Sequence, residues 1–193
     1  MSTKNALTAP SARERLLAAA NELFYEQGVH TVGIDRIIDK AGVAKASLYS
    51  TFGSKEALVR AYLAQRHDAR QKRLMHKLER YTTPRERLLG VFDALRELVV
   101  ESQFRGCAFM RASAEVSPDL DVRDVCDDSR AWLRALFTDL ARAAGAAQPA
   151  RLAQQLQVLY DGATVGAQMD RDAAPASAAR AIAAVLLDAA TAR

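Results

Sequence analysis

Lys45, Ser47, Tyr49 and Ser50 crowd one short stretch of the chain, and Lys55 follows closely. Together they offer two ammonium groups, two hydroxyls and a phenol, with Ala44 and Ala46 as small neighbours. They form no recognisable catalytic constellation. The set is suited instead to gripping an anion by charge and hydrogen bonds. The small residues let a backbone come close to whatever is gripped.

Other constellations fail on spacing. His30, His67 and His76 form no metal motif, because His67 and His76 sit nine residues apart and point to opposite sides of one helix. Asp119, Asp121 and Asp124 resemble the start of a calcium loop, but the glycine is missing and Arg130 stands where the bidentate glutamate belongs. Acidic groups at a helix N-terminus are the simpler account. There is no glycine-rich phosphate loop and no Gly-x-Ser-x-Gly elbow. Cys107 and Cys126 are too few for a disulfide scaffold. Cys107 is either a redox or electrophile sensor or a small buried hydrophobe. No enzyme activity, metal or cofactor is expected.

Composition narrows the class further. Half of the 193 residues are hydrophobic and 26% are charged, a globular profile. Apolar runs such as 182–187 are far short of the ~20 residues that cross a bilayer. The N-terminus lacks a secretory core, so a cytoplasmic protein without a membrane partner is expected. The net charge of +4 hides an asymmetry. Residues 1–80 hold 14 Lys+Arg against 8 Asp+Glu, and the remainder holds 13 against 15. All six lysines lie in the first part. An anionic partner for that part fits this pattern, as does a plain solvated surface.

The elements that must position these residues read as helices throughout. Ser11 and Glu14 make a capping box for a helix over about 12–27, ended by Gly28. A short helix over about 34–41 carries Ile34, Ile37, Ile38 and Ala41 on one face. Gly42 allows a sharp turn into a third helix over about 44–51. Ser54 caps a long helix that could reach Arg80. Thr83, Pro84 and Glu86 start the next, a short one falls within 104–116, and Ser117-Pro118 opens another long one. Two last helices run over about 150–170 and 175–190. No strand pattern appears.

Two short helices joined by a tight glycine turn, behind a longer support, form a helix-turn-helix. Val43, Leu48 and Phe52 can hold the second helix down, leaving Lys45, Ala46, Ser47, Tyr49 and Ser50 facing outward. Leu23-Phe24, Gly28, Ile37, Ala41-Gly42-Val43, Lys45, Leu48-Tyr49, Phe52 and Ser54-Lys55-Glu56-Ala57-Leu58 then match an ordered signature without gaps. Over roughly its first 60 residues the chain resembles the TetR family of bacterial transcriptional regulators. The rest is similar only in helix count and length, and Gly106-Cys107-Ala108-Phe109 resembles a run in one subset of the family.

The resemblance implies an all-α protein of about nine helices: an N-terminal three-helix helix-turn-helix DNA-binding domain and a C-terminal helical effector-binding and dimerisation domain. The expected divisions are a flexible tail at 1–10, the DNA-binding domain at 11–53, a connecting helix at 54–80 and the effector and dimer domain at 81–193. Tyr49 and Lys55 would contact phosphates, while Lys45, Ser47 and Ser50 would read bases or phosphates. Packing is the plainer role for Tyr49. The chain departs from the family at Ala44, where a Ser or Thr is usual, and at Val32-Gly33, which leaves Thr31 as cap for the second helix. A missing cap oxygen costs roughly 1 kcal/mol.

Partners follow in the same way. Leu152, Leu156, Leu159, Ala163 and Ala167 stripe one of the last helices; Ala179, Ile182, Val185, Leu186 and Ala189 stripe the other. Gly162 and Gly166 allow a close helix approach. The resemblance implies a four-helix homodimer interface from these helices, although internal core would give the same stripes. Phe92, Cys107, Met110, Trp132 and Tyr160 are candidates for an effector pocket or for plain core. The absence of lysine there points to an uncharged or weakly polar effector. The expected function is a homodimeric repressor released from a palindromic double-stranded DNA operator by a small molecule. The alternative is a small-molecule binding protein with a vestigial helix-turn-helix.

Overall fold

A computed structural model describes residues 9–101, 103–115, 117 and 120–192. The expected tail falls outside the described residues as far as residue 8. Every regular element among them is a helix: α1 (Ala12–Gln27), α2 (Ile34–Ala41), α3 (Lys45–Phe52), α4 (Lys55–Leu78), α5 (Pro84–Val99), α6 (Ala108–Ala114), α7 (Arg123–Ala143), α8 (Pro149–Asp170) and α9 (Ala174–Thr191). None is long and apolar enough to cross a membrane.

Local chemistry sets most of these boundaries. At α1, the Ser11 hydroxyl accepts from the Glu14 N–H while the Glu14 carboxylate accepts from the Ser11 N–H at 2.7 Å. Thr83 and Glu86 do the same at α5, with Pro84 in the first turn, where its missing N–H costs nothing. α2 and α3 start at Gly33 and Ala44 without a side-chain cap, so Thr31 does not cap α2 as expected. α7 begins five residues later than the Ser117-Pro118 start. Ser117 and Leu120 pair through their backbones, and Asp121 Oδ1 accepts from the Arg123 N–H at 3.2 Å. The helix therefore starts where its first free N–H finds an acceptor. Pro118 and Asp119 lie outside the described residues.

Two apolar cores result. The first gathers Leu16, Leu23, Phe24, Ile37, Leu48, Leu58 and Tyr62 from α1–α4, together with Phe109 of α6 and Cys126 of α7. The second gathers Leu78, Phe92, Phe137, Leu156, Ala179 and Leu187 from the far end of α4 and from α5, α7, α8 and α9. Each fully buried Phe or Leu contributes about 1.5–3 kcal/mol. The 24 residues of α4 pass through both cores. At ~1.5 Å per residue such a helix is a rigid rod between the two cores.

Candidate nucleic-acid interface and effector cavity

The α2–α3 turn is held from inside. Gly42 adopts φ 61° and ψ 45°, a left-handed conformation that glycine takes without penalty. Its N–H donates to the carbonyls of Ile38 and Asp39. The Arg15 guanidinium reaches across from α1 and donates to the Gly42 carbonyl at 2.9 Å and to the Ala41 carbonyl at 3.3 Å. Leu48 is fully buried, with Val43 and Phe52 packed around it. That anchoring leaves Ala44, Lys45, Ala46, Tyr49 and Ser50 exposed and Ser47 half-buried. Tyr49 is 46% exposed.

Three of the polar side chains, Lys45, Ser50 and Lys55, have local partners. Lys45 Nζ donates to Asp35 Oδ1 at 2.8 Å, and that contact holds the ammonium pKa above its ordinary value. The Ser50 hydroxyl donates to the Ser47 carbonyl at 3.2 Å. Lys55 is folded back, with Nζ donating to the His30 carbonyl at 3.4 Å. Burial lowers its pKa, against the opposing pull of Glu115. Thr31 is exposed in the α1–α2 loop.

Glu115 ties this loop to the body. Its carboxylate ends α6 and accepts from the His30 N–H at 2.6 Å. Arg60 of α4 donates to Asp124 and to the Asp121 carbonyl, each at 2.7 Å. Asp121 is also held by Arg123, which brings its pKa down to about 2. These two carboxylates thus serve arginines, and no cluster of three metal-ligating side chains occurs among the described residues.

A cavity of about 320 Å³ opens between α1, α4, α5, the 103–107 loop, α6 and α8. Cys107, Met110 and Tyr160 line it. Phe92 does not: it is fully buried between Phe137 and Tyr160, with ring centroids at 5.8 and 6.1 Å. Trp132 stands behind the wall, edge-on to His67 at 5.7 Å. Burial raises the pKa of the Tyr160 phenol, keeping it a neutral hydrogen-bonding group. The lack of lysine beyond residue 80 suggests an uncharged or weakly polar effector, but Arg66, Arg70 and Arg73 line the cavity from one side of α4. Their spacing of four and three was visible in the sequence; that this side turns inward was not.

The last two helices divide the expected dimer residues. Leu152, Leu156 and Ala163 are buried in the chain's own core, and Gly166 lets α8 approach Pro175, 3.1 Å from where a Cβ would stand. Those four therefore serve internal packing. Gly162, Ile182, Val185 and Ala189 are exposed, with Leu159 and Leu186 half-buried. Val158, Val165 and Met169 join the exposed apolar face.

Comparison with known proteins agrees with this architecture. The family described as bacterial regulatory proteins, tetR family, matches residues 16–62. The crystal structure of a TetR-type transcriptional regulator from Streptomyces avermitilis superposes with a TM-score of 0.84 at 33% identity, covering 95% of this chain and 100% of that one. The transcriptional repressor NemR of Escherichia coli is 29% identical over 182 residues, covering 89% of this chain and 91% of that protein. The transcriptional activator FasR of Mycolicibacterium smegmatis is 36% identical over 95 residues, and the chain spans only 43% of its length. The fold and the reading head are those of a helix-turn-helix transcriptional regulator. The chain belongs to the TetR family.

Proposed function

We propose that this regulator is a homodimeric repressor that α3 docks into the major groove of a palindromic operator, and that a small molecule in the α1–α4–α5–α8 cavity releases it. The observation that carries this reading is α3 itself: Leu48 is fully buried beneath it while Tyr49, Ser50 and Lys45 face solvent. Tyr49 and Lys55 grip phosphates, and Lys45, Ser47 and Ser50 reach base edges or further phosphates, with Thr31, Ala44 and Ala46 against the groove. Ile182 at 49% and Val185 at 69% exposure, with Val158 and Met169 on α8, supply an apolar face suited to a second copy. A twofold dimer requires a twofold operator. The cavity is walled by α1, so an effector there acts on the reading head directly. Release follows if the effector prefers the conformation with poor DNA affinity.

Selection of bound fragments from the source genome by purified protein tests the reading, with Tyr49→Ala/Lys55→Ala as the control. A palindromic site enriched by the intact protein alone supports it. No enrichment, even after unfolding and refolding away any carried ligand, makes the helix-turn-helix vestigial and the protein a small-molecule binder.

A further inference from the structure

The charges around the cavity do not balance pairwise. Asp161 is taken by Arg130 at 2.6 Å, Glu22 by Lys40 at 2.6 Å, and Glu101 faces Arg73 at 3.7 Å. Glu26, the remaining acid on the wall, is exposed to solvent. Arg66 and Arg70 have no carboxylate at ion-pair distance among the described residues. Arg66 donates from Nε to Asn21 Oδ1 at 2.8 Å and lies 3.7 Å from the centroid of the Tyr25 ring. Arg70 donates to the Ser129 carbonyl at 2.9 Å and stands 5.4 and 5.5 Å from the Phe109 and Trp132 rings. Its Nε is buried without an acceptor. A partly desolvated guanidinium with one carbonyl and no counter-ion is unfavourable, and a carboxylate matches its planar fork.

We propose that the effector is a small amphipathic carboxylate whose head group is held by Arg70 and Arg66 and whose apolar end lies against Phe104, Phe109 and Met110. This rests on the reading of the cavity as the effector site. Its volume of 320 Å³ sits at the small end of ligand pockets. That is the space of about ten liquid waters at roughly 30 Å³ each. The head group also touches the route to the DNA. Arg66 lies on Tyr25 of α1, whose hydroxyl donates to the Gly106 carbonyl at 3.0 Å and accepts from the Arg105 N–H at 2.9 Å. Drawing Arg66 toward an anion therefore disturbs both α1 and the loop that leads into α6.

The test is calorimetric titration of the full chain with hexanoate, octanoate and 3-phenylpropionate, each beside its matching alcohol. At least one acid binds at least tenfold more tightly than its alcohol. Arg70→Met loses that advantage, Arg70→Lys keeps part of it, and Arg142→Gln, an exposed α7 position that does not line the cavity, leaves it unchanged. Circular dichroism establishes that each variant is folded; should Arg70→Met not fold, Arg66→Gln and Arg70→Lys carry the test. Alcohols binding as tightly as acids, an undiminished acid preference in the folded Arg70 or Arg66 variants, or no binding by any acid overturns the proposal. Operator release is read separately. An acid that binds through Arg70 but leaves the protein on its DNA refutes the effector role and leaves the anion site standing.

Discussion

Lys45 Nζ lies 2.8 Å from Asp35 Oδ1, an ion pair that spans the α2–α3 turn on the face proposed to meet DNA. Both side chains are mostly exposed, so the pair adds little to stability. Its consequence is for binding: Asp35 neutralises a cation where phosphate or guanine would otherwise receive it. Asp35→Asn is expected to tighten binding to all duplex DNA severalfold and to steepen its salt dependence. Lys45→Ala is expected to relax sequence preference about tenfold or more if the lysine reads a base. Fluorescence anisotropy at several salt concentrations measures both. An equal loss on every sequence would make Lys45 a phosphate contact.

Gly28 joins the reading head to the body through backbone geometry. Its φ of 92° and ψ of 154° lie in a region that only glycine occupies readily. A Cβ there would stand 2.6 Å from Glu115 Oε1. Gly28→Ala is expected to cost about 1–3 kcal/mol, read as a lowered Tm. Adding Glu115→Ala should recover little of it, because the strain belongs to the backbone. Full recovery would make the side-chain clash the cause.

The α8–α9 face separates association from folding. Ile182→Glu with Val185→Glu places charge on an exposed apolar face and should yield folded monomers with weakened operator binding. Leu156→Ala removes fully buried side-chain volume and should cost about 2–5 kcal/mol. Analytical ultracentrifugation beside thermal denaturation distinguishes the two. A double-glutamate variant that stays dimeric would move the interface elsewhere.

His67 makes stability depend on pH. Gln71 Nε2 donates to its Nε2 at 2.7 Å, which leaves Nδ1 to donate to the Ser129 hydroxyl at 3.2 Å. Only the neutral ring can accept from Gln71. Burial, then the nearby Arg70 charge, lowers its pKa from 6.5, against weaker pulls from Asp68 and Asp128. The folded state thus binds this proton less readily than the unfolded one. The contribution is complete above the ordinary value and is lost as pH falls through the lowered one. Between about pH 7.5 and about pH 5.5 the Tm of the wild type should fall more than that of His67→Gln. Parallel curves would remove His67 from the pH response.

Much of the fold was legible because its signals are local. The capping boxes at Ser11–Glu14 and Thr83–Glu86, the glycine at 42 and the isoleucine stripe of α2 depend only on neighbours along the chain. The reading head was legible for the same reason: burying Val43, Leu48 and Phe52 on one helix face leaves Lys45, Tyr49 and Ser50 on the other. The start of α7 was misplaced because Ser117 pairs with Leu120 and Asp121 takes over as acceptor.

Sequence by itself determined which segments are helices, where the turn between α2 and α3 falls, and which residues α3 leaves exposed. Tertiary structure decided the rest. α8 carries apolar residues around most of its circumference, so periodicity could not choose between Leu152, Leu156 and Ala163 as core and Val158, Val165 and Met169 as surface; packing against α7 and α9 made that choice. The arginines of α4 line a cavity only because α1, α5 and α8 close around them. Lys45 and Asp35 meet only because Arg15 and Gly42 fix the turn between their helices. The burial of a face and the pairing of distant charges depend on what packs opposite, and a helical period carries no information about that.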